Sequence, residues 1–267
     1  MTTSSSIKSY AKLNLGLQVF PKNSSGLHPI QSIFQEISLY DTITVKKSDT
    51  PTCTITCSKE SLATTNNLIV SAFNAFNPTF GLCVHLEKNI PLGAGLGGGS
   101  SNAAVILNWL NAIEKKYTDK TLNDIAYALG SDVPYFLNGG RANVTGTGNV
   151  IDPLKHVDQH FVIIYPSIHS DTGLVYNEFD TFEKTKIKTS KTLFNDLKKP
   201  AFNLYPKLKT IETTIQSLIT NDVFMSGSGS TLYITDPSEE KCKLNAKKLK
   251  SLFPDFYIEH VKALSKR

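Results

Sequence analysis

The chain has 267 residues, 40% of them hydrophobic and 19% charged, and a formal net charge of +5. That is the balance of a globular chain with room for one large core or two smaller ones. Lysine plus arginine stands at 11 against 9 acidic residues over 1–150 and 17 against 14 over 151–267, with arginine only at Arg141 and Arg267. The guanidinium forks of a DNA reader are therefore nearly absent, and no nucleic-acid partner is expected. MTTSSSIKSY lacks the apolar stretch of a secretory signal, and runs such as FVIIY (161–165) are too short to span a bilayer. A cytoplasmic chain without membrane association is expected.

SYAKLNLGLQVF (9–20) alternates, with Leu13, Leu15, Leu17 and Val19 on one face and Lys12, Asn14, Gly16 and Gln18 on the other. This predicts a half-buried strand with Lys12 and Asn14 together on its open face. Residues 32–47 and 52–57 read as further strands, 66–76 as a helix (Leu68, Ile69, Ala72, Phe73, Phe76) and 81–88 as a strand. Cys53, Cys57, Cys83 and Cys242 form no CxxC pair, and buried reduced thiols are expected.

IPLGAGLGGGSSN (90–102) then places five glycines between Gly93 and Gly99, followed by the helical stripe Ala103, Ile106, Leu107, Leu110, Ile113. Ser100, Ser101 and Asn102 are competent N-caps. Strand, glycine loop and helix start in that order predict an anion cradle, because glycine amides converge without Cβ interference at a helix N-terminus. Gly93-x-Gly95-x-x-Gly98 fits GxGxxG, but the acidic residue about twenty positions on is Glu114, still inside the helix. In a Walker A register the lysine position holds Gly99. Neither common loop fits, so a cation or a lysine from elsewhere must neutralise the phosphates.

Residues 122–129 read as a short helix closed by Gly130, followed by Ser131-Asp132-Val133-Pro134. By itself Asp132 reads as a cap or turn residue. A strand is expected near 161–165, a helix near Thr172, and helices at 212–219 and 241–253 flanking the Gly-Ser-Gly turn of MSGSGST (225–231). The lysine- and threonine-rich segment 177–200 reads as a mobile loop.

As an ordered set, AKLNLGL (11–17), GLHPIQSIFQEI (26–37), NNLI (66–69), PLGAGLGGGSSNAA (91–104), GSDVPYF (130–136), TGLVY (172–176), NDL (195–197) and MSGSGST resemble the GHMP kinase family. Within it they are most similar to the 4-diphosphocytidyl-2-C-methyl-D-erythritol kinase branch. The resemblance implies an α+β, two-domain fold. Residues 1–153 would form a ribosomal-protein-S5-like domain carrying the phosphate loop, and 154–267 a ferredoxin-like domain. It implies ATP and Mg²⁺ as cofactors and a small-molecule acceptor, the cytidine-diphosphate methylerythritol; oligomeric state is not specified.

By position, Asp132 would be the general base and Lys12 its partner, with Asn14 on the substrate. Pro91, Gly93, Gly95, Leu96, Gly97, Gly98, Gly99, Ser100, Ser101, Asn102, Asn67, Leu68 and Lys88 would lie on the nucleotide side, with Ser101 the hydroxyl facing Mg²⁺. His28 would read the cytosine edge and Tyr176 stack on the base. Lys88 reads equally well as a solvated strand-end charge, and Tyr176 alternatively as a core aromatic. Two positions depart from the family pattern: Tyr10 stands where proline is usual, and Leu27 where a tyrosine helps sandwich the base. Another GHMP kinase would have no base for His28 and Tyr176 to meet, and a non-catalytic sensor would have no need of Lys12 and Asp132.

Overall fold

β1 (Ser5–Val19) and β2 (Ile30–Ser48) form a long antiparallel ribbon from Ser5↔Val45 to Val19↔Ile30. They belong to the first of two sheets in the computed structural model, which describes residues 4–182 and 194–266. The other edge of β2 is shared end to end. β4 (Gly81–Glu87) pairs with residues 42–48, and β5 (Arg141–Gly146) with residues 30–35. β3 (Cys53–Cys57) joins β4 in parallel, and β6 (Val150–Pro153) closes the sheet beside β5. The second sheet runs β10 (Tyr257–Lys262), β7 (His160–Tyr165), β9 (Leu232–Asp236), β8 (Phe224–Met225).

Four helices follow the first sheet's strands: α1 (Leu68–Phe76), α2 (Gly98–Glu114), α3 (Asp119–Leu129) and α4 (Val133–Asn138). Ile106, Leu107 and Leu110 of α2 pack with Phe73, Phe76 and the strand residues Ile43 and Val84. The second sheet carries α5 (Thr172–Phe179), α6 (Lys198–Leu204), α7 (Pro206–Leu218) and α8 (Glu239–Leu252). Their core gathers Val162, Ile164, Val175, Leu208, Ile215 and Leu249.

The odd residues of β1 explain how the sheets join. Ala11, Leu13 and Leu15 pack against Phe161, Ile163 and Tyr233 of the second sheet, in a third cluster. Their even neighbours point the opposite way, as the two-residue strand period requires. The open face predicted for Lys12 and Asn14 is corrected here: both are buried, at 4% and 3% exposure, because α2 and its loop cover that side. The thiol expectation is also corrected. All four cysteines are free, but Cys83 is exposed, Cys53 and Cys57 half-buried, and only Cys242 buried. Of the loop expected at 177–200, α5 and α6 occupy the ends, and 183–193 lie outside the described residues. No described helix is long and apolar enough to cross a membrane.

Candidate active site

A cavity of about 980 Å³ opens where β1, the glycine loop, α5 and the turn after β8 meet. Lys12, Asn14, His28, Leu68, Lys88, Pro91, Gly93, Gly95, Leu96, Gly97, Gly98, Gly99, Ser100, Asp132 and Tyr176 all line it. Asn67, Ser101 and Asn102 do not.

The glycine loop is held by its carbonyls. Gly93 O accepts from Ser170 N–H (3.3 Å), Ala94 O from Thr231 N–H (3.3 Å), Gly95 O from Ser226 Oγ–H (3.2 Å) and Leu96 O from Lys12 N–H (3.0 Å). With these acceptors turned into the protein and Ala94 and Leu96 buried as anchors, the loop hands over to α2, whose first N–H groups have no intrahelical partner. Two glycines are dictated by shape. A Cβ on Gly95 (φ +72°) would lie 2.8 Å from the Ser226 and Gly229 carbonyls. One on Gly97 (φ +69°) would lie 2.8 Å from the Phe136 ring.

Gly97, in the left-handed region, is the N-cap of α2, and no side chain caps the helix. The capping expected of Ser100, Ser101 and Asn102 is thereby corrected: they are the third, fourth and fifth residues of the helix. Successive helical residues turn by about 100°, so only Ser100 reaches the cavity. Ser101 is fully buried and its hydroxyl accepts from Ser9 Oγ–H (2.7 Å), while Asn102 Nδ2 donates to Ser9 Oγ (2.9 Å) and Asp41 Oδ2 (3.0 Å). Asn67 caps α1, accepting from Ile69 N–H at 3.0 Å.

Lys88 is neither a solvated charge nor a free phosphate ligand. Its ammonium donates to Asp41, and both side chains are buried. Burial pushes the lysine below its ordinary pKa, and the Asp41 charge opposes that shift. Asp41, which no sequence motif singled out, also accepts from the N–H groups of Asn89 and Ile90 (2.8 Å each). It thus fixes the strand end that leads into the loop. Removing one partner of a buried pair leaves an uncompensated charge, costing about 3–5 kcal/mol. Asp41→Ala is therefore expected to lower unfolding stability by that amount in denaturant titration. A loss below about 1 kcal/mol, the worth of a surface ion pair, would show that the carboxylate does not organise this corner.

Asp132 precedes α4 but makes no capping bond. Its Oδ2 instead lies 3.4 Å from Lys12 Nζ. The ammonium also donates to Asn14 Oδ1 (2.5 Å) and sits 4.6 Å from the Phe34 ring centre. Asn14 is fixed in turn, its Nδ2 donating to Ser32 Oγ (3.0 Å) and its N–H to Ser226 Oγ (3.1 Å). Lysine, carboxylate and glycine loop thus share one cavity, with the lysine held rigidly.

His28 and Tyr176 also line this cavity. Their rings stack on one another at 5.3 Å and 29°. His28 Nδ1 lies 2.7 Å from Phe20 O and Nε2 3.2 Å from Asp180 Oδ1. Asp180 also accepts from Lys22 Nζ at 2.5 Å, which with His28 holds its carboxyl below the usual carboxylate range. Burial, then the Asp132 charge, raises the Tyr176 phenol, which stays protonated. Tyr176 also packs on the second core, as its reading as a core aromatic expects. Leu27 is half-exposed at the rim. Asp180 and Lys22 lie in no motif; they are brought together by the return of α5 toward the β1–β2 connection.

Residues 67–140 match the family described as GHMP kinases N terminal domain. A 4-diphosphocytidyl-2-C-methyl-D-erythritol kinase of Thermosipho melanesiensis is 36% identical over 248 residues, covering 85% of this chain and 89% of the relative. The kinase of that name from Caldicellulosiruptor bescii is 32% identical over 250 residues, covering 85% and 87%. A crystal structure of 4-(cytidine 5'-diphospho)-2C-methyl-D-erythritol kinase superposes with a TM-score of 0.82 at 28% identity, covering 98% of this chain and all of that one. A Methanococcus jannaschii mevalonate kinase shares the fold at a TM-score of 0.68 and 18% identity, over 98% of this chain and 99% of that one. The chain belongs to the 4-diphosphocytidyl-2-C-methyl-D-erythritol kinase family of GHMP kinases.

Proposed function

We propose that this chain transfers the γ-phosphoryl group of ATP to the 2-hydroxyl of 4-diphosphocytidyl-2-C-methyl-D-erythritol, a step of non-mevalonate isoprenoid precursor biosynthesis in the cytoplasm. The observation that carries the reading is the Lys12–Asp132 pair, 3.4 Å apart and lining one cavity together with the glycine loop. Asp132 accepts the proton of the acceptor hydroxyl as the new O–P bond forms. The bond from the γ-phosphorus to its bridging oxygen breaks, and ADP leaves. Lys12 orients the carboxylate, and Asn14 holds the lysine and faces the acceptor. Most of the acceleration in phosphoryl transfer comes from alignment and charge neutralisation. The N–H groups between Gly95 and Ser100 supply both on the nucleotide side.

Mg²⁺ suits a site with few protein oxygen donors, because it keeps waters and phosphate oxygens as ligands. Ser100 offers its hydroxyl oxygen to the cavity, so it, rather than the buried Ser101, would hold the ion that neutralises the phosphates. The site would lie between a unit of residues 1–153 and one of 154–267.

Tyr176 offers the cytosine an aromatic face, His28 a polar edge and Leu27 an aliphatic cover. A stacking contact is worth about 1–3 kcal/mol. Tyr176→Ala is therefore expected to raise the KM for the cytidylyl acceptor about 10-fold or more. Leu27→Tyr, at a half-exposed rim position, should lower that KM and leave the KM for ATP alone. Steady-state kinetics with each substrate varied decides it. If Tyr176→Ala raises only the KM for ATP, the base does not bind here and the cytidine reading fails.

A further inference from the structure

A second cluster of ligating side chains lies on the other sheet, and none of its members lines the large cavity. His160 opens β7 and His260 lies near the end of the adjacent antiparallel strand β10, two positions out of register (His160↔Lys262, His260↔Val162). Glu239 comes from the first turn of α8, which packs across both strands. One ligand atom from each residue falls within 4.8 Å of the other two, the histidines being buried and half-buried and the glutamate exposed. His160 Nδ1 and His260 Nε2 are 3.1 Å apart. A first-row cation bound at 2.0–2.1 Å with an angle of about 100–110° places two imidazole nitrogens roughly 3.1–3.4 Å apart.

We propose that His160, His260 and Glu239 form a binding site for a divalent transition-metal ion of the Zn²⁺ class. Two imidazoles and a carboxylate are a borderline nitrogen and oxygen set that favours Zn²⁺ over the hard Mg²⁺ a kinase uses with its nucleotide. Without metal, the two rings share one N–H···N hydrogen bond, which binding replaces as that proton moves to the other nitrogen of its own ring. Asp236, opposite His160 in β9, is not a fourth ligand: it accepts from Ser238 N–H (2.8 Å) and Asn221 Nδ2 (3.0 Å). Lys243 Nζ holds Glu239 Oε1 at 2.8 Å, but the pair is solvent-exposed and leaves Oε2 available. The fourth position is left to water.

The test is titration of the full-length chain with ZnCl₂ by calorimetry, and with CoCl₂ by visible absorption, in Mg²⁺-containing buffer. One equivalent should bind saturably and raise the melting temperature, with Co²⁺ bands free of thiolate charge transfer. His260→Gln and Glu239→Gln should each weaken Zn²⁺ binding by at least the roughly 10–100-fold that loss of a mere supporting contact costs. Lys243→Gln, which frees Glu239, should tighten it. Glu239→Gln changes only an exposed side chain, so it decides the matter if His260→Gln fails to fold. No saturable binding below millimolar Zn²⁺, or binding unchanged in Glu239→Gln, would overturn the site. So would Co²⁺ bands carrying thiolate charge transfer, which would assign the metal to a cysteine.

Discussion

Asp132→Asn is expected to lower turnover by about 10²-fold or more while leaving ATP binding nearly unchanged, the ordinary cost of losing a general base. The amide keeps the shape of the carboxylate but cannot take a proton from the acceptor hydroxyl. Asp132 neither caps α4 nor lies buried, its side chain being 30% exposed beside Lys12, so the substitution should leave the fold intact. The kcat of the variant against the KM for ATP separates the two effects. A variant that keeps more than roughly half the parent turnover would remove Asp132 from the chemistry.

Gly97→Val is expected to abolish nucleotide binding and to destabilise the chain as well. The sequence by itself suggests a purely local effect on the phosphate loop. The structure adds a positive φ of +69° and a Cβ position 2.8 Å from the ring of Phe136, a residue of the first core. A strained backbone costs on the order of 1–3 kcal/mol, and overpacking about as much again. Trp109 sits far along α2, edge-on to Phe80, and its fluorescence reports the melting of that core. Gly99→Ala separates binding from folding. Gly99 is helical, and a Cβ there meets only Leu68 Cδ1, at an ordinary 3.5 Å. It should melt like the parent and raise the KM for ATP about 10-fold, as expected for losing one charge-assisted phosphate contact. A folded Gly99→Ala chain with a parental ATP titration would show that phosphate does not approach this turn.

The parts of this site that a sequence reveals are those built from neighbours in the chain. The alternation of AKLNLGL puts Lys12 and Asn14 on one face, and the glycine run before an amphipathic stripe marks a phosphate loop. Burial is not local, and the covering of Lys12 by α2 could not be read from β1. Nor could Asp41–Lys88, 47 positions apart, because a lone aspartate in an apolar strand has no spacing that names its partner. Ser100 and Ser101 are indistinguishable as a dipeptide; the cap at Gly97 sets the helix phase and decides which of them reaches the cavity. β5, β6 and β10 have six residues or fewer and lack the continuous apolar run that makes β7 legible at the same length. The stacking of His28 on Tyr176 depends on where α5 returns. Sequence motifs assign those rings to an edge and a face of the same base without showing that they touch.

The most direct test of the central claim is ADP release from ATP by the purified chain, followed with and without candidate acceptors. ADP should accumulate with 4-diphosphocytidyl-2-C-methyl-D-erythritol, with one phosphoryl group appearing on the acceptor per ADP. It should not accumulate with mevalonate, homoserine, a hexose or no acceptor. ADP release that is indifferent to the cytidylyl alcohol, or faster with one of the other acceptors, would contradict the account.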